Sequence, residues 1–272
     1  HLANPMDSTK GSLRTSLLPN VLETLSRNSR HQADAPLKLF EVGHVFRPSS
    51  EPSQSLLPSE TEEIVGVILG RRNHDSIWTT DHDSIDFFDL KGIVEHAADG
   101  VFGETSYQPS EHTAFSQSQT ATILKNGSPI GTLGEIDSTV ASYFNIQGRN
   151  IYAFVLNFTD IIKLGKKEET RFSPLNRYPS STRDLALLCR IDIPAANITK
   201  IIQDHLLVSN AYPIDTFIGE DMPKNMKSIT YRVTFQSPSK TLETSELEKA
   251  QQQIYKNLAR RLDIEERFSA ET

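Results

Sequence analysis

The sequence predicts an α+β chain of two domains, and three observations carry that reading. The run "KSITYRVTFQ" (227–236) alternates apolar and polar residues, the mark of a strand with one covered and one wet face. The run "SELEKAQQQIYKNLARRL" (245–262) repeats its apolar residues at helical spacing instead, with Leu247, Ala250, Ile254, Leu258 and Leu262 on one stripe. Between a less regular first part and this regular second part, "KLGKKEETRFSPLN" (163–176) breaks the apolar pattern. The boundaries that follow are 1–165 for the first domain, 166–176 for a linker and 177–272 for the second domain.

In the first domain, Leu18, Val21, Leu22 and Leu25 recur at helical spacing within "SLRTSLLPNVLETLSRNSRH". "LKLFEVGHVF" and "EEIVGVILG" read as strands, separated by a Pro/Ser-rich loop over 47–59. "DFFDLKGIVEHAADGVF" returns to helical period through Leu90, Val94, Ala97 and Val101. "TATILKNGSPIGTLGEI" reads as a hairpin, because Asn126-Gly127 supplies the positive φ angles of a tight turn. A short helix over 138–144 and a strand, "IYAFVLNF", close an antiparallel-sheet domain.

In the second domain, "DLALLCRI" is a strand and "NITKIIQDHLL" a helix with Ile198, Ile201, Ile202 and Leu206 inward. "YPIDTFIG" and "KSITYRVTFQ" are strands, the helix 245–262 follows with a capping box expected from Ser245 and Glu248, and "IEERF" is a short final strand. The order β-α-β-β-α-β is that of a ferredoxin-like module, whose two helices cover one face of a four-stranded sheet and leave the other open.

The bulk numbers narrow the function. A chain of 272 residues with 37% hydrophobic and 23% charged side chains is long enough for a sizeable core. No apolar run reaches the length that spans a bilayer, and "HLANPMDSTKG" lacks the plan of a signal peptide. It also lacks a starting Met, so a piece of a longer protein is expected. A lone cysteine, Cys189, excludes an internal disulfide and reads as a buried small hydrophobe in a reducing cytoplasm. The net charge of −7 opposes nucleic-acid binding over the whole surface. Residues 171–272, however, hold 14 basic and 13 acidic side chains, against 14 and 22 before them. Only the second domain does not repel a polyanion.

In "PIDTFIG", Asp215 and Phe217 share one face of a strand, and the open face also collects Ser228, Thr230 and Arg232. A ring to stack on, polar groups for base edges and a cation for phosphate are what single-stranded RNA recognition uses. The same set is also compatible with an ordinary solvated strand, since the fold alone does not fix function.

Longer motifs sharpen the choice. "RYPSSTRDLALL", "IDTFIG", "KSITYRVTFQ" and "TLETSELE" resemble the ferredoxin-fold anticodon-binding domain that ends the β subunit of bacterial-type phenylalanyl-tRNA synthetase. "NPMDSTKGSLRTSLLPN", "LKLFEVGHVF", "DFFDLKG" and "GTLGEI" resemble the class II synthetase catalytic-like domain that precedes it. The resemblance covers nearly the whole chain. It implies that Asp215, Phe217 and Ser228 contact the anticodon, with Phe217 keeping the stacking ring where the family often has Tyr and losing the hydroxyl. Arg177, Arg183, Thr230 and Arg232 are further candidate RNA contacts; for Arg177, Arg183 and Asp184 of the "RYP…RD" signature a structural ion pair reads equally well. It further implies tRNA(Phe) and the synthetase α subunit as partners, in an assembly of two α and two β chains. ATP and Mg²⁺ serve the intact enzyme, with no cofactor in this fragment.

Other readings have less behind them. Class II synthetases grip ATP with an "fRxE" arginine and a glycine-rich strand ending in Arg. Here Phe46-Arg47 is followed by Ser49 in place of Glu, and the later region reads "NIYAFVLNFTDII", so no catalytic residue is assigned. His74, Asp75, Asp81, His82, Asp83 and Asp86 gather in one stretch, but their spacing matches no zinc pattern and a solvated acidic loop anchored by Trp78 is expected. His112 stands near the family's usual His-Pro-Gly and receives no role. The alternative of a different class is a regulatory ligand- or protein-binding module without RNA binding; that would want glycines at a domain junction rather than Asp215, Phe217 and Ser228 on a bare face.

Overall fold

A computed structural model of the chain describes residues 4, 11–30, 36–48, 57–72, 83–101, 103–165, 176–219 and 222–267. The chain divides into two compact units, residues 1–170 and 171–272. Apart from Asn176, the predicted linker lies outside the described residues.

The first unit runs α1 (Leu18–Ser29), β1 (Leu37–Arg47), β2 (Ser59–Leu69), α2 (Phe87–Val101), β3 (Ser106–Pro109), β4 (Phe115–Lys125), β5 (Ser128–Ile136), α3 (Ser138–Tyr143), β6 (Ile151–Asn157) and α4 (Phe158–Lys163). Its strands form one antiparallel sheet in the order β1-β2-β6-β5-β4-β3. β3 and α4 leave no periodic mark in the sequence, because four residues and six residues are too short to show one. The hairpin stands as expected, with Asn126 at φ 51° and Gly127 at φ 78°.

Both faces of this sheet are covered. On one, Leu18, Val21, Leu22 and Leu25 of α1 pack with Val45, Val65, Val67 and Ala153. On the other, Leu90, Val94 and Ala98 of α2 pack with Ile68, Ile123, Leu133, Phe154 and Leu156. Ala97, expected inward, faces solvent, because the buried stripe steps from Val94 to Ala98. This two-sided cover explains why "IVGVIL" and "IYAFVL" are unbroken apolar runs.

The second unit runs β7 (Ser181–Arg190), α5 (Ala195–Gln203), β8 (Val208–Phe217), β9 (Met226–Phe235), α6 (Thr244–Leu262) and β10 (Glu265–Glu266). The sheet order β10-β7-β9-β8, with all pairs antiparallel, is the ferredoxin-like arrangement. One face buries Leu185, Leu187, Cys189, Ile229, Tyr231, Val233 and Phe235 against Ile198, Ile201 and Ile202 of α5 and Leu247, Ala250, Ile254 and Leu258 of α6. Burial pushes the Cys189 thiol pKa up, in keeping with a packing role. At the centre, the Tyr231 hydroxyl donates to the Ala195 carbonyl (2.7 Å) and accepts from Thr199 (3.1 Å), tying β9 to the first turns of α5.

Two local expectations are corrected. Leu206 is 97% exposed, since α5 ends at Gln203 before its turn comes round. The capping box of α6 is made by Glu243 and Glu246, two residues ahead of the Ser245–Glu248 pair, and Lys240 pairs with Glu246 at 2.7 Å. No described helix is long and apolar enough to cross a membrane.

Candidate nucleic-acid interface

The uncovered face of the second sheet is fixed by what β9 buries on the other side. With Ile229, Tyr231, Val233 and Phe235 in the core, Ser228, Thr230, Arg232 and Thr234 must point away from the helices. Residues directly opposed across an antiparallel pair share a face. Phe217 is opposed to Ser228 and Asp215 to Thr230, so β8 delivers both to this row. Asp215, Phe217, Ser228, Thr230 and Arg232 therefore come together as the sequence predicted. The Phe217 ring is 44% exposed and lies over Gly219, where a Cβ would approach it to 2.6 Å. A glycine is needed there for the ring to adopt this position.

The sheet adds a residue that simple alternation missed. The register shifts between Pro213 and Asp215, leaving Ile214 as the extra residue of a β-bulge. Counting backwards without the bulge would put Tyr212 on the core face. With it, Tyr212 is opposed to Arg232 on the open face and is 44% exposed.

Two of the face's charges are paired with each other. Arg232 donates from Nε and Nη2 to the two carboxylate oxygens of Asp184 on β7, at 2.9 and 2.8 Å. That fork raises the Arg232 pKa and holds the Asp184 carboxyl below the usual carboxylate range; the Tyr212 hydroxyl adds to the hold on Arg232. Both partners are 43% exposed, so the fork fixes geometry more than it contributes stability. Asp215 has no ion-pair partner among the described residues, which leaves its lone pairs available to a ligand.

Ser228 differs from expectation in its burial. It belongs to the outward row but is only 3% exposed, because Arg267, just past β10, donates from Nη1 to the Ser228 Oγ at 3.0 Å. Arg267 is itself held in place by its amide bond to the Ala186 carbonyl (2.9 Å). With its oxygen accepting from a guanidinium, the Ser228 hydroxyl has its own proton to donate. A cation 39 residues downstream gave no sequence signal for this contact.

Arg183 and Arg177 do not join the cluster. Arg183 is opposed to Val233, on the helix side of the sheet, and donates to the Thr182 carbonyl at 3.0 Å. Arg177 is exposed in the segment before β7. The ion pair that the "RYP…RD" signature raised is made by Asp184 with Arg232, not with Arg183.

In the first unit, Arg47 of the "fRxE" position is bound to Glu63 at 2.9 Å, and Glu63 also accepts from the Leu17 amide at the start of α1 (3.1 Å). The Glu63 side chain is 4% exposed, and its two partners supply the hydrogen bonds that water would otherwise give it. Arg47 thus ties β1 to β2 and, through Glu63, to the start of α1. Of the His/Asp-rich stretch, residues 73–82 lie outside the described residues. Asp83 and Asp86 approach Arg72, which makes its closest bond to Asp89 (2.9 Å). Among the described residues no group of three or more metal-ligand side chains forms. His112 accepts from the Ala114 amide through Nδ1 (3.2 Å), and burial lowers its pKa.

Comparison with known proteins places these two units. The model of the phenylalanyl tRNA synthetase β chain CLM domain matches residues 1–158. The chain belongs to the phenylalanyl-tRNA synthetase β-chain family. A second model, the ferredoxin-fold anticodon binding domain, matches residues 176–267, which contain the open face. The phenylalanine–tRNA ligase β subunit of Dehalococcoides mccartyi strain CBDB1 is 32% identical over 253 residues, covering 93% of this chain and 30% of that protein. That of Syntrophotalea carbinolica is 31% identical over 268 residues, covering 97% and 32%. That of Listeria monocytogenes serotype 4b is 32% identical over 266 residues, covering 96% and 32%. The chain thus spans about a third of the length of the β-chain relatives it matches.

Proposed function

We propose that this chain is a non-catalytic, C-terminal part of a phenylalanine–tRNA ligase β subunit, and that its second unit holds the anticodon of tRNA(Phe) on the open sheet face. The observation that carries the reading is the β8–β9 register, which aligns Asp215 and Phe217 with Thr230 and Ser228 on the side without helices. The first unit, with both sheet faces packed, serves as a scaffold for the α subunit, and residues 166–176 join the two. The working enzyme is a cytoplasmic assembly of two α and two β chains; ATP and Mg²⁺ belong to the α catalytic core, not to this piece.

The chemistry of recognition follows from the side chains. Phe217 offers a stacking surface worth about 1–3 kcal/mol per base whatever the base is. The Asp215 carboxylate offers acceptor oxygens, so it selects a base edge that donates. Ser228 lies beneath Arg267, so at that position the guanidinium rather than the hydroxyl is presented. Stacking supplies affinity, and Asp215 supplies discrimination.

Filter binding of tRNA(Phe) across a salt series tests this. Salt-sensitive binding is expected, weakened by Phe217→Ala and stripped of anticodon discrimination by Asp215→Ala. Parental binding by both variants at every salt concentration would leave a ligand- or protein-binding module as the better reading.

A further inference from the structure

We infer that the open face holds a second nucleotide platform, built on Tyr212 beside the Arg232–Asp184 fork, so that the sheet carries a run of three nucleotides. The inference rests on the RNA reading above and extends it to a subsite. Its origin is the bulge at Ile214, which brings a second aromatic ring to the face that already carries Phe217. The two rings are equally exposed, at 44%.

Their separation sets what they can bind. Tyr212 is opposed to Arg232 and Phe217 to Ser228, four residues apart along β9. At a rise of ~3.3 Å per residue this is about 13 Å, too far for one base to touch both rings. Two steps of an extended RNA strand cover that distance. The row between the rings is Asp215 with Thr230, which is polar and has no ring. Along β8 the order is therefore ring, polar pair, ring, matching outer nucleotides stacked at either end and a middle one hydrogen-bonded between them.

The neighbours of Tyr212 are suited to a nucleotide. Arg232 uses two of its N–H groups on Asp184, leaving donors for a phosphate or a base acceptor. Because the guanidinium is already fixed by the fork, little side-chain freedom is lost on binding.

The test uses the 272-residue chain and anticodon stem-loop RNAs, intact or with one abasic nucleotide at each of the three anticodon positions. On intact RNA, Tyr212→Ala is expected to weaken binding about tenfold, while Tyr212→Phe, which keeps the ring, stays close to the parent. Phe217→Ala should lose its effect on RNA abasic at one end of the anticodon, and Tyr212→Ala on RNA abasic at the other end. Matching unfolding midpoints of the variants would confirm that the ring, not the fold, was removed. The second platform is overturned if Tyr212→Ala binds intact RNA like the parent. It is also overturned if its loss is the same on all three abasic RNAs, or if it shares its insensitive position with Phe217→Ala. In those cases a position-selective Phe217→Ala would leave the anticodon reading standing; if Phe217→Ala is also without effect, both fall.

Discussion

The two sheets of this chain are both antiparallel, yet they are used differently. The first has α1 on one face and α2 on the other, and its central strands, β2 and β6, are apolar on both sides. The second has α5 and α6 on one face only, and β9 alternates between core residues and Ser228, Thr230, Arg232 and Thr234. Covering a face converts its residues into packing. Leaving it bare frees them to select a ligand. In both sheets an arginine stays about half-exposed while tied to a carboxylate; the carboxylates differ, Glu63 being buried in the first sheet and Asp184 half-exposed on the open face of the second.

The largest effect that tests this contrast lies within the second sheet. Leu258→Ala removes a fully buried side chain from the helix-covered face and should cost about 2–5 kcal/mol in denaturant unfolding. Thr230→Val on the other face should change stability by no more than about 0.5 kcal/mol. Comparable losses from both would mean that the supposedly bare face is packed. A smaller but distinct effect is expected in the first sheet from Gly131→Ala, whose Cβ would come within 2.3 Å of the Val155 carbonyl oxygen on β6. Forcing those strands apart should cost about 1–3 kcal/mol, and a parental melting temperature would show that β5 and β6 are less tightly apposed than described.

The subtlest separation is by pH. Asp184 is held below its ordinary value near 3.8, chiefly by its hydrogen bonds to Arg232. Its contribution is therefore present above that value and disappears as pH falls through the lower folded pKa. Tyr231 is raised above its ordinary value of 10.0 by burial. Its contribution is present below pH 10 and disappears as pH rises through the higher folded pKa. Asp184→Asn should flatten part of the acid limb of the stability profile, and Tyr231→Phe part of the alkaline limb. An acid limb identical in Asp184→Asn and parent would show the fork to be without thermodynamic weight.

What the sequence made legible was periodicity. The strict alternation of 227–236 and the helical stripe of 245–262 were enough to place both layers of the second unit, and long motifs identified the family. Alternation places Asp215, Phe217, Thr230 and Arg232 on the open face because each strand, locally, has period two. Tyr212 was not, because a bulge exists only in the pairing of two strands, and reading β8 alone carries the wrong parity across Ile214. The cover over Ser228 was hidden for a similar reason: Arg267 reaches it only after the chain has passed through α6 and returned as β10. Arg183 was grouped with the site through a signature, whereas its register opposite Val233 puts it on the helix side. Misplaced ends, such as Leu206 beyond α5 and the capping box at Glu243, reflect competition among several nearby residues able to start or stop a helix.

The irregularity at Pro213 and Ile214 has a consequence for how this protein behaves in crowded company. β8 is the outer strand of its sheet and exposes Ile214 and Phe217, with exposed Ile218 just past its end, a combination that invites a stray chain to zip alongside. Proline brings no amide hydrogen to such a pairing, and the bulge spoils the even spacing an incoming strand would need. The kink that brings Tyr212 to the open face thus also makes the rim of the sheet a poor template for aggregation.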